Sequence, residues 1–140
     1  MRASSATCVF CQIVEGTTDV SQVYRGDLCI AFVCLHQINP GHCLVCPTRH
    51  VESFTDLEPA EAESLLTLAQ RIAKAQKERI PNCTGVTLSL ADGADAGQEV
   101  RHTHLHVIPR ARDDGFGWRR FGERPGRPEL DRIALLLRDE

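Results

Sequence analysis

Val100-Arg101-His102-Thr103-His104-Leu105-His106-Val107-Ile108 is the stretch on which the reading of this chain turns. Apolar residues alternating with others over this length predict a β-strand from Val100 to Ile108. Alternate side chains of a strand share a face, so His102, His104 and His106 are expected on one side, spaced by roughly 6 to 7 Å. A lone histidine is most often a packed structural residue. Three in strict alternation, following the glycine-containing loop from Asp92 to Gln98, are hard to assign to packing. Neutral imidazole is a usable nucleophile near pH 7, and a phosphorylated imidazole is a good leaving group. The pattern therefore points to chemistry rather than packing, and phosphoryl transfer split into two steps at a histidine is chemically sensible.

Working outward, Ser21 to Tyr24 and Leu28 to Leu35 flank Arg25-Gly26-Asp27, a hairpin signal. Pro40-Gly41 breaks the chain before His42-Cys43-Leu44-Val45-Cys46, a short buried strand ended by Pro47. From Glu58 to Ile80 apolar residues recur at helical spacing (Ala62, Leu65, Leu66, Ala69, Ile72, Ala73), with Thr55-x-x-Glu58 as a capping box and Pro81 as the stop. Gly85 to Leu90 reads as another strand, and Pro128 to Leu137 as a short amphipathic helix. Strands gathered around one long helix, with a short C-terminal helix after them, predict an α+β domain.

The chain has 140 residues, 42% of them hydrophobic and 25% charged, which fits one soluble globular domain. Residues 1–140 are read as that single domain, with 111–140 an irregular arginine-rich tail plus the short helix. No apolar run is long enough to span a membrane, and the first residues lack the apolar core of a secretory signal, so a cytoplasmic address is expected. Seven cysteines, an odd number scattered through strand-like stretches, predict mostly buried reduced thiols. A net charge of −3 argues against a generic nucleic-acid binder. Arg110, Arg112, Arg119, Arg120, Arg124, Arg127, Arg132 and Arg138 nevertheless follow the three histidines, a distribution suited to a polyanionic small ligand, or simply a solvated basic surface.

The ordered set Cys8-Val9-Phe10-Cys11, Pro40-Gly41-His42-Cys43-Leu44-Val45-Cys46-Pro47 and Ala96-Gly97-Gln98 through Pro109-Arg110 resembles the histidine triad (HIT) family, and the segment Gly115-Phe116-Gly117-Trp118 is similar to its bacterial branch. The resemblance implies a five-stranded antiparallel sheet with a long helix, a homodimer whose sheets join, and a purine nucleotide, or a conjugate of one, bound beside the triad strand. His104 would attack the α-phosphorus and form a nucleotidyl-histidine intermediate, which water resolves. His106 would hydrogen-bond the phosphate, and His42, otherwise a strand-start residue after a turn, would line the same pocket. Nucleotide contacts are expected at Cys34, Ala91, Gly97, Gln98, Glu99 and Val100, with backbone amides of the Gly97-Gln98 loop cradling phosphate. Trp118 is expected near a nucleotide site, its own or the partner's.

The resemblance also implies a structural zinc held by Cys8, Cys11, His50 and His102. The alternative for the Cys-x-x-Cys pair is a reduced or redox-active dithiol without metal. Three positions depart from the family: Ala91 stands where Asn or Gln is common, Cys34 where Asp or Asn holds the ribose, and Glu99 where Ser or Thr bonds the phosphate. The reading is a nucleotidyl hydrolase or transferase acting on a phosphoramidate, a dinucleoside polyphosphate or a similar conjugate. Its rival is a catalytically weak nucleotide-binding regulatory protein of the same fold; nucleic-acid end processing ranks below both.

Overall fold

A computed structural model describes residues 7–117 and 126–138. Trp118, with Arg119, Arg120 and Arg124, lies outside the described residues. The chain opens with a short helix, α1 (Val9–Glu15), followed by β1 (Gln22–Arg25), β2 (Cys29–Val33), β3 (Cys43–Pro47), the long helix α2 (Pro59–Arg79), β4 (Gly85–Ser89), β5 (Leu105–Arg110) and α3 (Arg127–Leu137). The strands form one antiparallel five-stranded sheet in the order β1-β2-β3-β5-β4.

The hairpin forms where Gly-Asp predicts it, closed by the Gly26 N–H donating to the Cys29 carbonyl at 3.0 Å. The unbroken apolar runs of β2 and β3 have a physical reason: both strands are covered on both faces. On one face Cys29, Ala31, Cys43, Val45, Leu105 and Val107 pack with Leu65, Leu68, Ala69 and Ile72 of α2. On the other, Ile30, Phe32, Leu44 and Cys46 pack with Phe10, Cys11 and Ile13 of α1. The α1 face is the one that carries the site.

Three expectations need correction. The capping residue of α2 is Glu58, not Thr55: the Glu58 N–H donates to Glu61 Oε1 at 2.9 Å, in a Glu58/Glu61 capping box with Pro59 opening the helix. Thr55 belongs instead to a 3₁₀ turn, Phe54–Asp56, capped by the Ser53 hydroxyl, and Leu57 is extended after it. The helix stops at Arg79 because Ile80 precedes Pro81, which disfavours helical geometry there. The last strand begins at Leu105 rather than Val100. Residues 102 and 103 are diverted from the ladder, His102 N–H bonding the Val100 carbonyl at 2.8 Å and Thr103 N–H the Val51 carbonyl at 2.6 Å.

α1 carries no helical periodicity long enough to announce it. Its ends are nonetheless encoded: the Cys8 sulfur accepts the Cys11 N–H, and Gly16 closes the helix in the left-handed conformation at φ 83°. Gly41, which precedes the buried His42, has φ 99°, and a Cβ there would lie 2.8 Å from Ile80 Cδ1, so only glycine fits this turn. α3 buries none of its residues against the described chain, leaving Leu135, Leu136 and Leu137 exposed. All seven cysteines are free, five of them buried. No described helix is long and apolar enough to cross a membrane.

Candidate active site

His104 and His106 reach the same cavity although only His106 lies in a regular strand. Side-chain alternation survives the broken ladder: Leu105 and Val107 enter the α2 core, while the ring of Phe10 stands edge-on to both His102 and His104 at 5.8 and 5.0 Å. The cavity encloses 770 Å³, between α1, the segment after β2 and residues 97–106. Phe10, Ile13, Phe32 and Leu44 give it an apolar wall, and Cys34, Gly97, Glu99 and Val100 lie on its rim.

Hydrogen bonds fix which nitrogen of each imidazole carries its proton. Nδ1 of His104 lies 2.8 Å from the His102 carbonyl, which can only accept, so Nδ1 is the donor and Nε2 keeps its lone pair for the cavity. The Ile38 N–H donates to His42 Nδ1 at 3.2 Å, which puts the proton of neutral His42 on Nε2. That nitrogen is 2.9 Å from His106 Nδ1, which must accept. His106 therefore presents an Nε2–H to the cavity. One backbone amide thus sets, two imidazoles away, a donor at the cavity.

Burial keeps these rings neutral. It is the main cause lowering the pKa of His42 and of His104, the latter partly opposed by its bond to the His102 carbonyl and by the charge of Glu99. For His106, burial and then the neighbouring His104 and His42 bring the value down to about 4. Near pH 7 the cavity offers a lone pair on one imidazole and a proton on another.

The second cluster lies behind Phe10. The ligand atoms of Cys8, Cys11, His50 and His102 all fall within 4.8 Å of one another, so the quartet could hold a metal ion. Cys8 Sγ is 3.4 Å from His102 Nδ1, and Cys11 Sγ is 3.2 Å from His50 Nδ1 and 3.5 Å from His102 Nδ1. A tetrahedral site with the usual Zn–S and Zn–N lengths has sulfur–nitrogen edges of about 3.5 Å. His102 donates its other nitrogen, Nε2, to the Pro47 carbonyl at 2.8 Å, turning the Nδ1 lone pair toward the sulfurs. Without a cation, burial pushes the Cys11 thiol up to about 12 and the His102 imidazole down to about 4. Donor set, distances and orientation all fit zinc.

His50 is carried by the segment after β3, which is tied to α2 by a salt bridge between Arg49 and the buried Glu61 at 2.7 Å. The Arg49 hydrogen bond is the largest cause holding the Glu61 carboxyl below its ordinary value of 4.5. With its folded value below the unfolded one, the ion pair stabilises fully above about pH 4.5 and loses its contribution as pH falls through the folded value. Glu61→Gln should cost ~1 kcal/mol at pH 7, discounted because Arg49 is half exposed, and the gap to wild type should close as pH falls through the lowered folded value. Melting curves at pH 7 and pH 3 check this; a gap that widens in acid would contradict it.

Of the remaining expected contacts, Ala91 follows β4 half-buried and is not part of the cavity wall. Gln98 acts within its loop, its side chain donating to the carbonyls of Glu52 and Val100 and accepting from the Gly93 N–H. The expected amide cradle is not formed by Gly97 and Gln98: their N–H groups donate to the Ala94 and Gly93 carbonyls, because the 3₁₀ turn Ala94–Ala96 uses them. Val9, Phe10, Ile13 and Phe32 line the cavity without having been singled out, since apolar wall and apolar core residues look alike in sequence. The only hint was that Phe10 lies between two candidate metal ligands.

The HIT domain profile matches residues 15–113. A HIT-like protein of Borreliella burgdorferi is 41% identical over 115 residues, covering 81% of this chain and 82% of the relative. A bis(5'-adenosyl)-triphosphatase of Dictyostelium discoideum is 43% identical over 91 residues, 65% of this chain and 60% of that protein. Among solved structures, a zinc-bound histidine triad family protein from Mycobacterium smegmatis superposes with a TM-score of 0.77 at 33% identity, covering 95% of this chain and 97% of its own.

Proposed function

Because the chain belongs to the HIT family, we propose that it is a nucleotidyl hydrolase or transferase acting at the α-phosphate of a nucleoside 5'-phosphate conjugate, a phosphoramidate or a dinucleoside polyphosphate. The observation that carries this is the pairing of a bare Nε2 on His104 with an Nε2–H on His106, side by side on one apolar-walled cavity. Their ring centroids are 5.1 Å apart.

The purine lies against Phe10, Ile13 and Phe32, and the ribose toward Cys34. The His104 Nε2 lone pair attacks phosphorus while the His106 Nε2–H holds a phosphoryl oxygen. The bond to the leaving group breaks, and its electron pair goes to the leaving atom, which takes a proton from solvent at the open rim. Nδ1 of His104 keeps its proton on the His102 carbonyl, so the nucleotidyl imidazole is cationic and activated for departure. Water then attacks phosphorus, the P–N bond breaks with its electrons returning to Nε2, and one water proton leaves to solvent. Stabilising donors of this kind are worth on the order of 3 kcal/mol each in a dry site.

Cys8, Cys11, His50 and His102 would hold a structural zinc, linking the start of α1 to the segments after β3 and before β5 without a part in the phosphoryl chemistry. A homodimer with continuous sheets is supported by the half-paired edge strand β4, with Leu88 exposed on it, and by Leu66 exposed on α2. Turnover is tested by incubating the purified protein with a panel of nucleoside phosphoramidates and dinucleoside polyphosphates and assaying nucleoside monophosphate. Release with at least one member supports the enzyme. Tight binding with no release throughout the panel supports the regulatory rival.

A further inference from the structure

The cavity beside His104 is unusual for a phosphate site in its fixed charges. Among the described residues that line it there is no lysine and no arginine; the charged side chains are Asp19 and Glu99. Glu99 sits on the rim beside Gly97 and His104, exposed, and makes no hydrogen bond or ion pair with the described residues. The cation nearest in sequence, Arg101, lines a separate 360 Å³ groove with Cys8 and His50 rather than the cavity itself, and Glu99 borders both.

Glu99 lines the cavity that His104 also lines, so on the hydrolase reading its charge acts on the group that leaves the phosphorus His104 attacks. The α-phosphoryl group of a conjugate carries a single negative charge whichever leaving group it bears. The leaving half is where substrates differ: a polyphosphate chain brings several more negative charges, an aminoalkyl amine brings a positive one. Coulomb repulsion from a carboxylate that no described cation neutralises grows with each added phosphate, whereas an ammonium gains by the same interaction.

Resting on the hydrolase reading above, we propose that Glu99 is a specificity-determining residue that selects a leaving group bearing an ammonium and rejects one that extends into a polyphosphate. The selective element is as much the repulsion of the wrong leaving group as the attraction of the right one. One unit charge facing Glu99 at 5 to 6 Å in a partly wet site shifts the ratio by about tenfold. The preference weakens with added salt.

The test uses two compounds with the same nucleoside: a 5'-phosphoramidate of a diamine, with a free ammonium on its leaving half, and a dinucleoside triphosphate. A simple alkylamine phosphoramidate controls for the P–N bond alone. Their kcat/KM ratios are compared in wild type, Glu99→Gln and Glu99→Asp without added divalent cation, so that intrinsic reactivity cancels. The ammonium compound should lose about tenfold against the triphosphate in Glu99→Gln and keep most of its advantage in Glu99→Asp. An unchanged ratio in Glu99→Gln overturns the proposal. Dissociation constants for the same compounds are measured on His104→Ala and on His104→Ala/Glu99→Gln. If nothing is turned over, the hydrolase reading fails, while the change in binding ratio still decides for or against Glu99.

Discussion

His104→Ala is expected to abolish nucleotide release, by roughly three orders of magnitude or more in kcat, while leaving folding and metal content near wild type. The side chain is nearly buried, yet its bonds are local: Nδ1 to the carbonyl two residues earlier, and ring contacts with Phe10 and His106. Truncation opens space that continues into the existing cavity, so the melting temperature should move by only a few degrees. None of the four candidate metal ligands is touched. Substrate binding should persist, since the apolar wall and the His106 donor remain. A mutant that releases product at more than a few per cent of the wild-type rate would remove His104 from the nucleophile's role.

His102→Ala should behave in the opposite way. It deletes one of four ligands and also the bond to the Pro47 carbonyl, so zinc content should fall. Structural zinc binding commonly carries about 10–16 kcal/mol, and losing even ~3 kcal/mol of net stability would lower Tm by roughly 10 °C in a domain of this size. The loss reaches the nucleotide through α1. This seven-residue helix is too short to be stable alone, is capped by Cys8 and contains Cys11, and supplies Phe10 and Ile13 to the cavity wall. Nucleotide affinity should therefore fall together with zinc, and zinc should be held more tightly when nucleotide is bound, because the coupling is reciprocal. Elemental analysis, melting curves and nucleotide titration on wild type, chelator-treated protein and His102→Ala decide this. Full zinc occupancy in His102→Ala would dissolve the assigned division between neighbouring histidines.

Where one side of an element meets the core, its period is written in the sequence. α2 shows this through Leu65, Ala69 and Ile72, although Leu66 of the expected face is exposed and Leu68 packs instead, and the hairpin and β3 show it through their turn residues. α1 was not legible, because seven residues with three packed positions, one of them a cysteine, give no helical signature. The true start of β5 was not legible either. Alternation continues through His102 and Thr103 while their backbone bonds go elsewhere, to Val100 and Val51. The metal quartet joins residues 8, 11, 50 and 102, and only resemblance, not spacing, linked the distant members; the geometry now brings their donor atoms together. The tautomer relay from Ile38 through His42 to His106 had no sequence signal, since a backbone amide begins it.

The central claim is covalent chemistry at His104, and rapid-quench mass spectrometry during single turnover of a nucleoside phosphoramidate tests it most directly. The account predicts a transient mass increase of one nucleotidyl group, acid-labile and base-stable as a phosphorylated imidazole should be, mapped by peptide fragmentation to His104 and absent from His104→Ala. Turnover that proceeds with no adduct at any quench time, or an adduct mapped to another residue, would contradict it.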